Sequence, residues 1–301
     1  MGAPAGLRGE RCTAAELVAE VEQILGSASQ RPARGEGSDL LAAVLRQPRW
    51  WPSLHRDEEI APDDISAALT AARRLARGMP FAYAVGHADF RRLNLRVDER
   101  VLIPRPETEL LVEIVLQSAQ GKAGGVAADV GTGSGAIALS LASEGCFSRV
   151  IATDLSCDAL EVARWNADAC AASLRAPVEL RQGDLLAPLA GERIDVLVSN
   201  PPYIAFSERD ALPPLVRDWE PPNALVCPDD GLAATRALVH GAGAVLGGGA
   251  LLALEVDARR AQRAAALVRG CAGFTGVAVH RDLTGRDRFV TATWTGARRP
   301  S

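Results

Sequence analysis

Val126-Ala127-Ala128-Asp129-Val130-Gly131-Thr132-Gly133-Ser134-Gly135, continued by the apolar run Ala136 to Ala142, decides the fold. The first five residues read as a short buried strand, the glycines as a tight loop, and the following run as the opening of a helix. Glycines at alternate positions let the backbone turn sharply and let a ligand approach without Cβ interference. The string also fits the looser dinucleotide pattern G-x-G-x-x-A, so alone it suits NAD as well as other nucleosides. A second strand-like run, Arg149 to Thr153, ends at Asp154. That is roughly 20 residues further on, where a carboxylate accepts hydrogen bonds from both hydroxyls of a ribose.

Asp129 narrows the choice. An acid two positions before the first glycine would crowd a pyrophosphate, but it suits a ligand carrying an ammonium and a sulfonium. A third acidic turn, Gly183-Asp184-Leu185, follows the run Val178 to Arg181, where it could meet the exocyclic amine of an adenine. Each of these acids is, singly, an ordinary turn or cap residue. A fourth strand-like run, Ile194 to Ser199, leads into Asn200-Pro201-Pro202-Tyr203. Two prolines continue neither a central strand nor a helix interior, so the chain turns there. What remains is a cluster of acceptors, the Asn200 side-chain oxygen and nearby carbonyls, beside the aromatic face of Tyr203. Such a cluster suits a planar group bearing an NH2, either a side-chain amide or a base with an exocyclic amine. In open α/β sheets ligands bind at the carboxyl ends of the strands, so all four turns would share one mouth.

These residues resemble the HemK/PrmC family, the S-adenosylmethionine-dependent methyltransferases of the glutamine in peptide chain release factors. Asn200-Pro201-Pro202-Tyr203 matches the family's acceptor motif, Asp129 to Gly135 its cofactor loop, and Leu102-Ile103-Pro104-Arg105-Pro106-Glu107-Thr108-Glu109 the hallmark ahead of the catalytic domain. Further matches are Tyr83 with Gly86 and Phe90, Glu220-Pro221, Asp230-Gly231-Leu232, and Asp282-Leu283 with Gly285, Arg288 and Phe289. The likeness runs from about Pro80 to the C-terminus. Two departures stand out. Ala82 replaces a glutamine often found before the family's tyrosine, and Glu255-Val256-Asp257 lacks the glycine that many relatives carry after the glutamate.

The resemblance implies transfer of a methyl group from S-adenosyl-L-methionine to the glutamine amide nitrogen in the GGQ loop of class 1 release factors, a step of translation termination. It assigns catalysis to Asn200, Pro201, Pro202 and Tyr203. The cofactor falls to Asp129, Gly131, Thr132, Gly133, Ser134, Gly135, Asp154, Asp184, Leu185 and Asn200. An amide nitrogen is a poor nucleophile because its lone pair is delocalised. If Asn200 and the Pro201 carbonyl each accept one amide hydrogen, the lone pair is directed at the methyl. The sulfonium is already activated, so positioning counts for more than a base; near-attack geometry supplies roughly 7–11 kcal/mol in favourable cases. No catalytic histidine, cysteine or metal is expected. The alternatives are an N6-adenine methyltransferase of nucleic acid, which uses the same turn and flips its base, a nicotinamide dehydrogenase, and a non-catalytic cofactor-binding module.

With 301 residues, 48% hydrophobic and 23% charged, the chain is a globular protein with room for two domains. A net charge of −4 argues against a broad footprint for nucleic acid. Arg73, Arg74, Arg77, Arg91 and Arg92 read as solvated faces. Six scattered cysteines form no C-x-x-C pair and read as buried or neutral free thiols of a reducing compartment. Met1 to Arg11 lacks an apolar signal core, and Ala242 to Val256, broken by three glycines, is too short to span a bilayer. A cytoplasmic monomer with neither membrane nor nucleic-acid contact is expected.

Periodicity and punctuation give the layout. Thr13 to Leu25 reads as a helix with a Thr13/Glu16 capping box, ended by the polar stretch Gly26 to Gly37. Asp39 to Leu45 and Pro62 to Arg77 add further helices, with Trp50-Trp51-Pro52 packing between them. Residues 1–80 are expected to form a helical domain, to which the resemblance gives substrate docking, residues 81–103 a hairpin linker, and residues 104–296 the catalytic domain. The last is expected to be a seven-stranded Rossmann-like sheet, mostly parallel. Its strands fall at 126–130, 149–153, 177–181, 194–199, 250–256, and a C-terminal antiparallel hairpin near 276–280 and 288–294.

Overall fold

The computed structural model describes residues 12–27, 35–119 and 124–296. Residues 1–11, most of the polar stretch after the first helix, and the tail beyond Gly296 lie outside them. The chain divides into two compact units, Met1–His87 and Ala88–Ser301.

In the first unit, helices α1 (Ala14–Gly26), α2 (Glu36–Val44) and α3 (Pro62–Ala76) enclose Leu17, Val21, Leu40, Leu41, Ile65 and Leu69. The capping box forms as expected. The Glu16 amide donates to Thr13 Oγ1, and the Thr13 amide donates back to Glu16 Oε2 at 2.9 Å. Helix α2 begins three residues before its expected start. The tryptophans separate: Trp51 packs on the core and stacks on His55 at 4.5 Å, whereas Trp50 stays 57% exposed.

The second unit is built on a seven-stranded sheet. Its strands are β1 (Val126–Val130), β2 (Arg149–Asp154), β3 (Val178–Gln182), β4 (Ile194–Ser199), β5 (Leu246–Glu255), β6 (Phe274–Arg281) and β7 (Asp287–Trp294). Their spatial order is β6-β7-β5-β4-β1-β2-β3, with β7 antiparallel to both neighbours and the others parallel. Helices α4 (Pro106–Ser118), α5 (Ala136–Glu144), α6 (Cys157–Cys170), α7 (Ala233–Gly241) and α8 (Ala261–Gly270) accompany it. Near-continuous apolar strands such as Val196-Leu197-Val198 suit a sheet buried on both faces. One core gathers Leu197, Leu252, Leu254 and Val268, and the other gathers Val196, Val198, Leu111 and Leu139. A hairpin, His87–Phe90 with Leu93–Arg96, adds Phe90, Leu93 and Leu95 to the second core. Arg91 is no solvated face. Its side chain is 14% exposed and donates to Glu144 at 2.7 Å and to Glu113 at 3.0 Å.

Register brings the turns together. Val130 pairs with Thr153 on one side and Ser199 on the other, so Gly131, Asp154 and Asn200 leave the sheet side by side. Leu254 pairs with Ser199, which puts Glu255 beside Asn200. Asp154 pairs with Gln182, so Gly183 and Asp184 emerge at the far side. At about 4.8 Å per strand, the row from β4 to β3 spans roughly 14 Å, the scale of a nucleoside with a short side arm.

Candidate active site

The glycine loop folds back on β2: the amides of Gly131 and Thr132 both donate to the Thr153 carbonyl at 2.9 Å. Gly131, Gly133 and Gly135 have φ of +76°, +55° and +86°, conformations that side chains rarely adopt. A Cβ at Gly131 or Gly133 would meet nothing within 4 Å, whereas one at Gly135 would lie 3.1 Å from Leu139 Cδ1. The first two glycines therefore keep backbone open to a ligand, and the third lets the helix pack closely.

Asp129 lies wholly buried beneath this loop. Its Oδ2 accepts from Thr132 Oγ1 at 2.6 Å and from the Ala138 amide at 3.1 Å, while Oδ1 has no partner. Burial pushes its carboxyl up to about 7, and the Asp154 charge adds to the rise. A buried carboxylate oxygen without a donor fits an incoming cation. Asp154 accepts from the Gly133 and Ser156 amides, each at 2.9 Å, and burial raises its carboxyl as well. With the Gly133 amide alone on Oδ2, that oxygen keeps a lone pair for a hydroxyl. Asp184 is exposed; Leu185, at φ +45°, packs against the core. Leu155, 60% exposed directly after Asp154, offers a flat apolar contact that no sequence signal indicated. The open glycine loop, the Asp154 carboxylate and the orphan Asp129 oxygen together suit a nucleoside that carries positive charge.

Across the mouth, Asn200 Nδ2 donates to Thr108 Oγ1 at 3.2 Å, and Thr108 Oγ1 donates to Glu255 Oε2 at 2.7 Å. Thr108 and Glu255 are buried. Burial lifts the Glu255 carboxyl to about 7 despite the Thr108 bond and the nearby Arg288. Pro201 is buried, Pro202 and Tyr203 half-buried, and desolvation raises the Tyr203 hydroxyl above its ordinary range. The turn rests on Gly231, where a Cβ would come within 2.3 Å of the Tyr203 carbonyl. Beneath it, buried Arg260 donates to Glu208 at 2.6 Å and to the Asp230 carbonyl. Arg105 pairs with buried Glu220, tying the 102–109 segment to Glu220-Pro221.

Sequence reasoning named Asn200 and Tyr203 but missed the Thr108–Glu255 support, although both residues sit in stretches it quoted. It also missed Asn166 on α6, which donates to the Ser134 carbonyl at 2.9 Å and to the Arg96 carbonyl at 3.0 Å. Of the cysteines, Cys12, Cys170 and Cys227 are buried, but Cys146 and Cys157 are exposed. Among the described residues no group of three or more His, Cys, Asp or Glu could hold a metal ion, and no helix is long and apolar enough to cross a membrane.

A model of the methyltransferase small domain matches residues 106–212. A release factor glutamine methyltransferase from Moorella thermoacetica is 43% identical over 281 residues, covering 90% of this chain and 98% of its own. One from Xylella fastidiosa is 38% identical over 273 residues, covering 91% and 98%. In fold, a methyltransferase from Pyrococcus furiosus superimposes with a TM-score of 0.51 at 19% identity, covering 68% of this chain and 90% of that one.

Proposed function

The chain belongs to the release factor glutamine methyltransferases, and from that premise we propose a division of labour for its own residues. The enzyme transfers a methyl group from S-adenosyl-L-methionine to the side-chain amide nitrogen of the glutamine in the GGQ loop of peptide chain release factors. Asp129, Gly131 to Gly135 and Asp154 hold the cofactor, with Asp184 and Leu185 at its adenine end. Asn200 to Tyr203 receive the glutamine. The bound cofactor supplies an electrophilic methyl on a positively charged sulfur.

The observation that carries this reading is the strand register. Asn200 leaves β4 next to the glycine loop that leaves β1, so donor and acceptor groups meet about one strand spacing apart. Asn200 Oδ1 and the Pro201 carbonyl accept the two amide hydrogens, and the Tyr203 ring packs on the amide plane. Those bonds strengthen as positive charge grows on nitrogen, which favours the transition state over the bound substrate. The proton leaves after transfer, when nitrogen is acidic enough to need no dedicated base. Every side chain in this scheme comes from one chain, so a monomer suffices.

The helices before residue 80 take the docking role, and residues 81–103 join them to the catalytic domain. Trp50 and Leu54, 57% and 73% exposed, give the first unit apolar surface for a protein partner. Six free thiols fit a reducing cytoplasm, and the net charge of −4 gives no attraction to nucleic acid or to anionic membranes. The deciding experiment is mass spectrometry of a release factor treated with Asn200→Ala and methyl donor. Glutamine methylation, measured at saturating methyl donor, should fall about 100-fold or more. Near-normal methylation would remove Asn200 from its role.

A further inference from the structure

We propose that Thr108 and Glu255 are positioning residues that fix which way the Asn200 amide faces, so that its oxygen and not its nitrogen meets the substrate. This rests on the reading of Asn200 as the acceptor of the glutamine amide hydrogens.

A side-chain amide presents an oxygen on one side and an NH2 on the other, with similar shapes and opposite hydrogen-bonding character. An acceptor for the glutamine NH2 works only with the oxygen turned toward it; a flipped amide would set donor against donor. Something on the other side of Asn200 must tell the two orientations apart. A hydroxyl alone does not, because it donates or accepts as required. Thr108 loses that freedom through Glu255. The hydroxyl's one proton goes to Glu255 Oε2 at 2.7 Å, which leaves only lone pairs for Asn200 at 3.2 Å. A carboxylate accepts and never donates, so the order of the chain is fixed: Asn200 to Thr108 to Glu255.

The Thr108–Glu255 link is shielded from water, since Thr108 is 5% and Glu255 1% exposed. The flipped amide would leave two oxygens facing each other with no proton between them, a mismatch at a part-buried contact. Arg105, Glu107, Arg288 and Tyr203 also face this carboxyl, the two arginines favouring its charge and Glu107 opposing it. The three residues come from separate elements: Thr108 from the first turn of α4, Glu255 from the end of β5, and Asn200 from the turn after β4. The support is therefore tertiary, and the acceptor turn does not contain the means to orient itself.

A double-mutant cycle tests the idea, run on the full chain with release factor and S-adenosyl-L-methionine at about pH 8.5, where Glu255 is ionised. Thr108→Val should lower kcat about tenfold or more and leave cofactor affinity unchanged, and Thr108→Ser, which keeps the hydroxyl, should restore most of the rate. In an Asn200→Ala background, Thr108→Val should change kcat less than about twofold, because the group it orients is gone. The proposal is overturned if Thr108→Val stays within about twofold of the parent, or if its effect is equally large in both backgrounds, which marks a merely structural role. Cofactor titration and a thermal melt confirm that each variant is folded; should Thr108→Val not fold, Thr108→Ala enters the same cycle. A fully active Asn200→Ala enzyme would sink the acceptor role itself, an outcome distinct from failure of the orienting pair.

Discussion

Glu255→Gln should make the protein gain stability, relative to the parent, as pH rises. Glu255 is 1% exposed, and burial lifts its carboxyl from an ordinary 4.5 to about 7. A raised acid contributes stability that is fully present below its unfolded value and is lost as pH climbs through its folded value. The gap of roughly 2.5 pH units, at about 1.4 kcal/mol each, puts the whole effect near 3 kcal/mol. Between about pH 5.5 and about pH 8.5 the linkage relation assigns roughly 2 kcal/mol of that loss. Glutamine has the same shape and does not titrate, so the variant escapes this loss. Disturbing the Thr108 bond shifts the variant by a constant amount at every pH, which drops out of the difference. Asp129 titrates in the same range, but it is present in both proteins and cancels. Chemical or thermal unfolding of both proteins at the two pH values measures the change, which should reach roughly 5 °C for a unit of this size. A stability gap that stays constant, or that moves in the parent's favour as pH rises, would refute the reasoning.

Gly133→Ala puts a Cβ into open space at φ +55°, so it should weaken cofactor binding in a calorimetric titration while costing only about 1 kcal/mol of stability. Gly135→Ala, whose Cβ would press on Leu139 at 3.1 Å, should cost more, about 1–3 kcal/mol in denaturant unfolding. Arg260→Met removes the link among Glu208, Asp257 and the Asp230 carbonyl. Because Glu208 also accepts from the Ala205 amide at 3.1 Å, the change should speed hydrogen exchange there and lower kcat, with cofactor affinity retained. Deleting residues before about Tyr83 should leave cofactor binding intact and abolish methylation of the intact release factor, measured by mass spectrometry.

The sheet could be read because each strand carries its own signal. Val126 to Val130 and Ile194 to Ser199 are short apolar runs ended by glycine or proline, and the structure keeps those boundaries. The first residues of β5 escaped: the strand starts at Leu246 and runs through Gly247 to Gly249, which a reading by propensity treats as a break. Trp50 and Trp51 look alike in sequence, and only tertiary packing decides which is buried. Arg91 and Arg92 are a similar pair, because the carboxylates that bury Arg91 lie 22 and 53 positions away. The Asn200–Tyr203 turn stood out through two prolines, but the hydrogen-bonded chain behind Asn200 did not. Thr108 and Glu255 are 147 positions apart, and no periodicity connects them. Their pairing exists only once α4 has settled against the end of β5.

The carboxylates of this protein shift in two directions, and the division follows burial, with Glu220 raised on the same ground despite its Arg105 partner. Where arginine meets an acid at the surface, as in Glu179 and Glu192 with Arg149 and Arg181, hydrogen bonds hold the acid below its ordinary value. At the carboxyl ends of the central strands the reverse holds: Asp129, Asp154 and Glu255 are all raised, with burial the largest cause. Each therefore costs stability at neutral pH, and among the described residues no arginine pairs with Asp129 or Asp154. A fold selected for stability alone would put apolar residues at these positions. Buried negative charge with spare acceptor capacity is instead suited to a ligand that brings positive charge of its own, and S-adenosyl-L-methionine carries an ammonium and a sulfonium. If Asp129 and Asp154 hold the methyl donor as proposed, loss of the sulfonium charge on transfer would weaken their hold on the product. Glu255 stands apart from Asp129 and Asp154: it accepts from the Thr108 hydroxyl, which accepts from the Asn200 amide, and under the proposed scheme that makes it an orienting group and not a cofactor ligand.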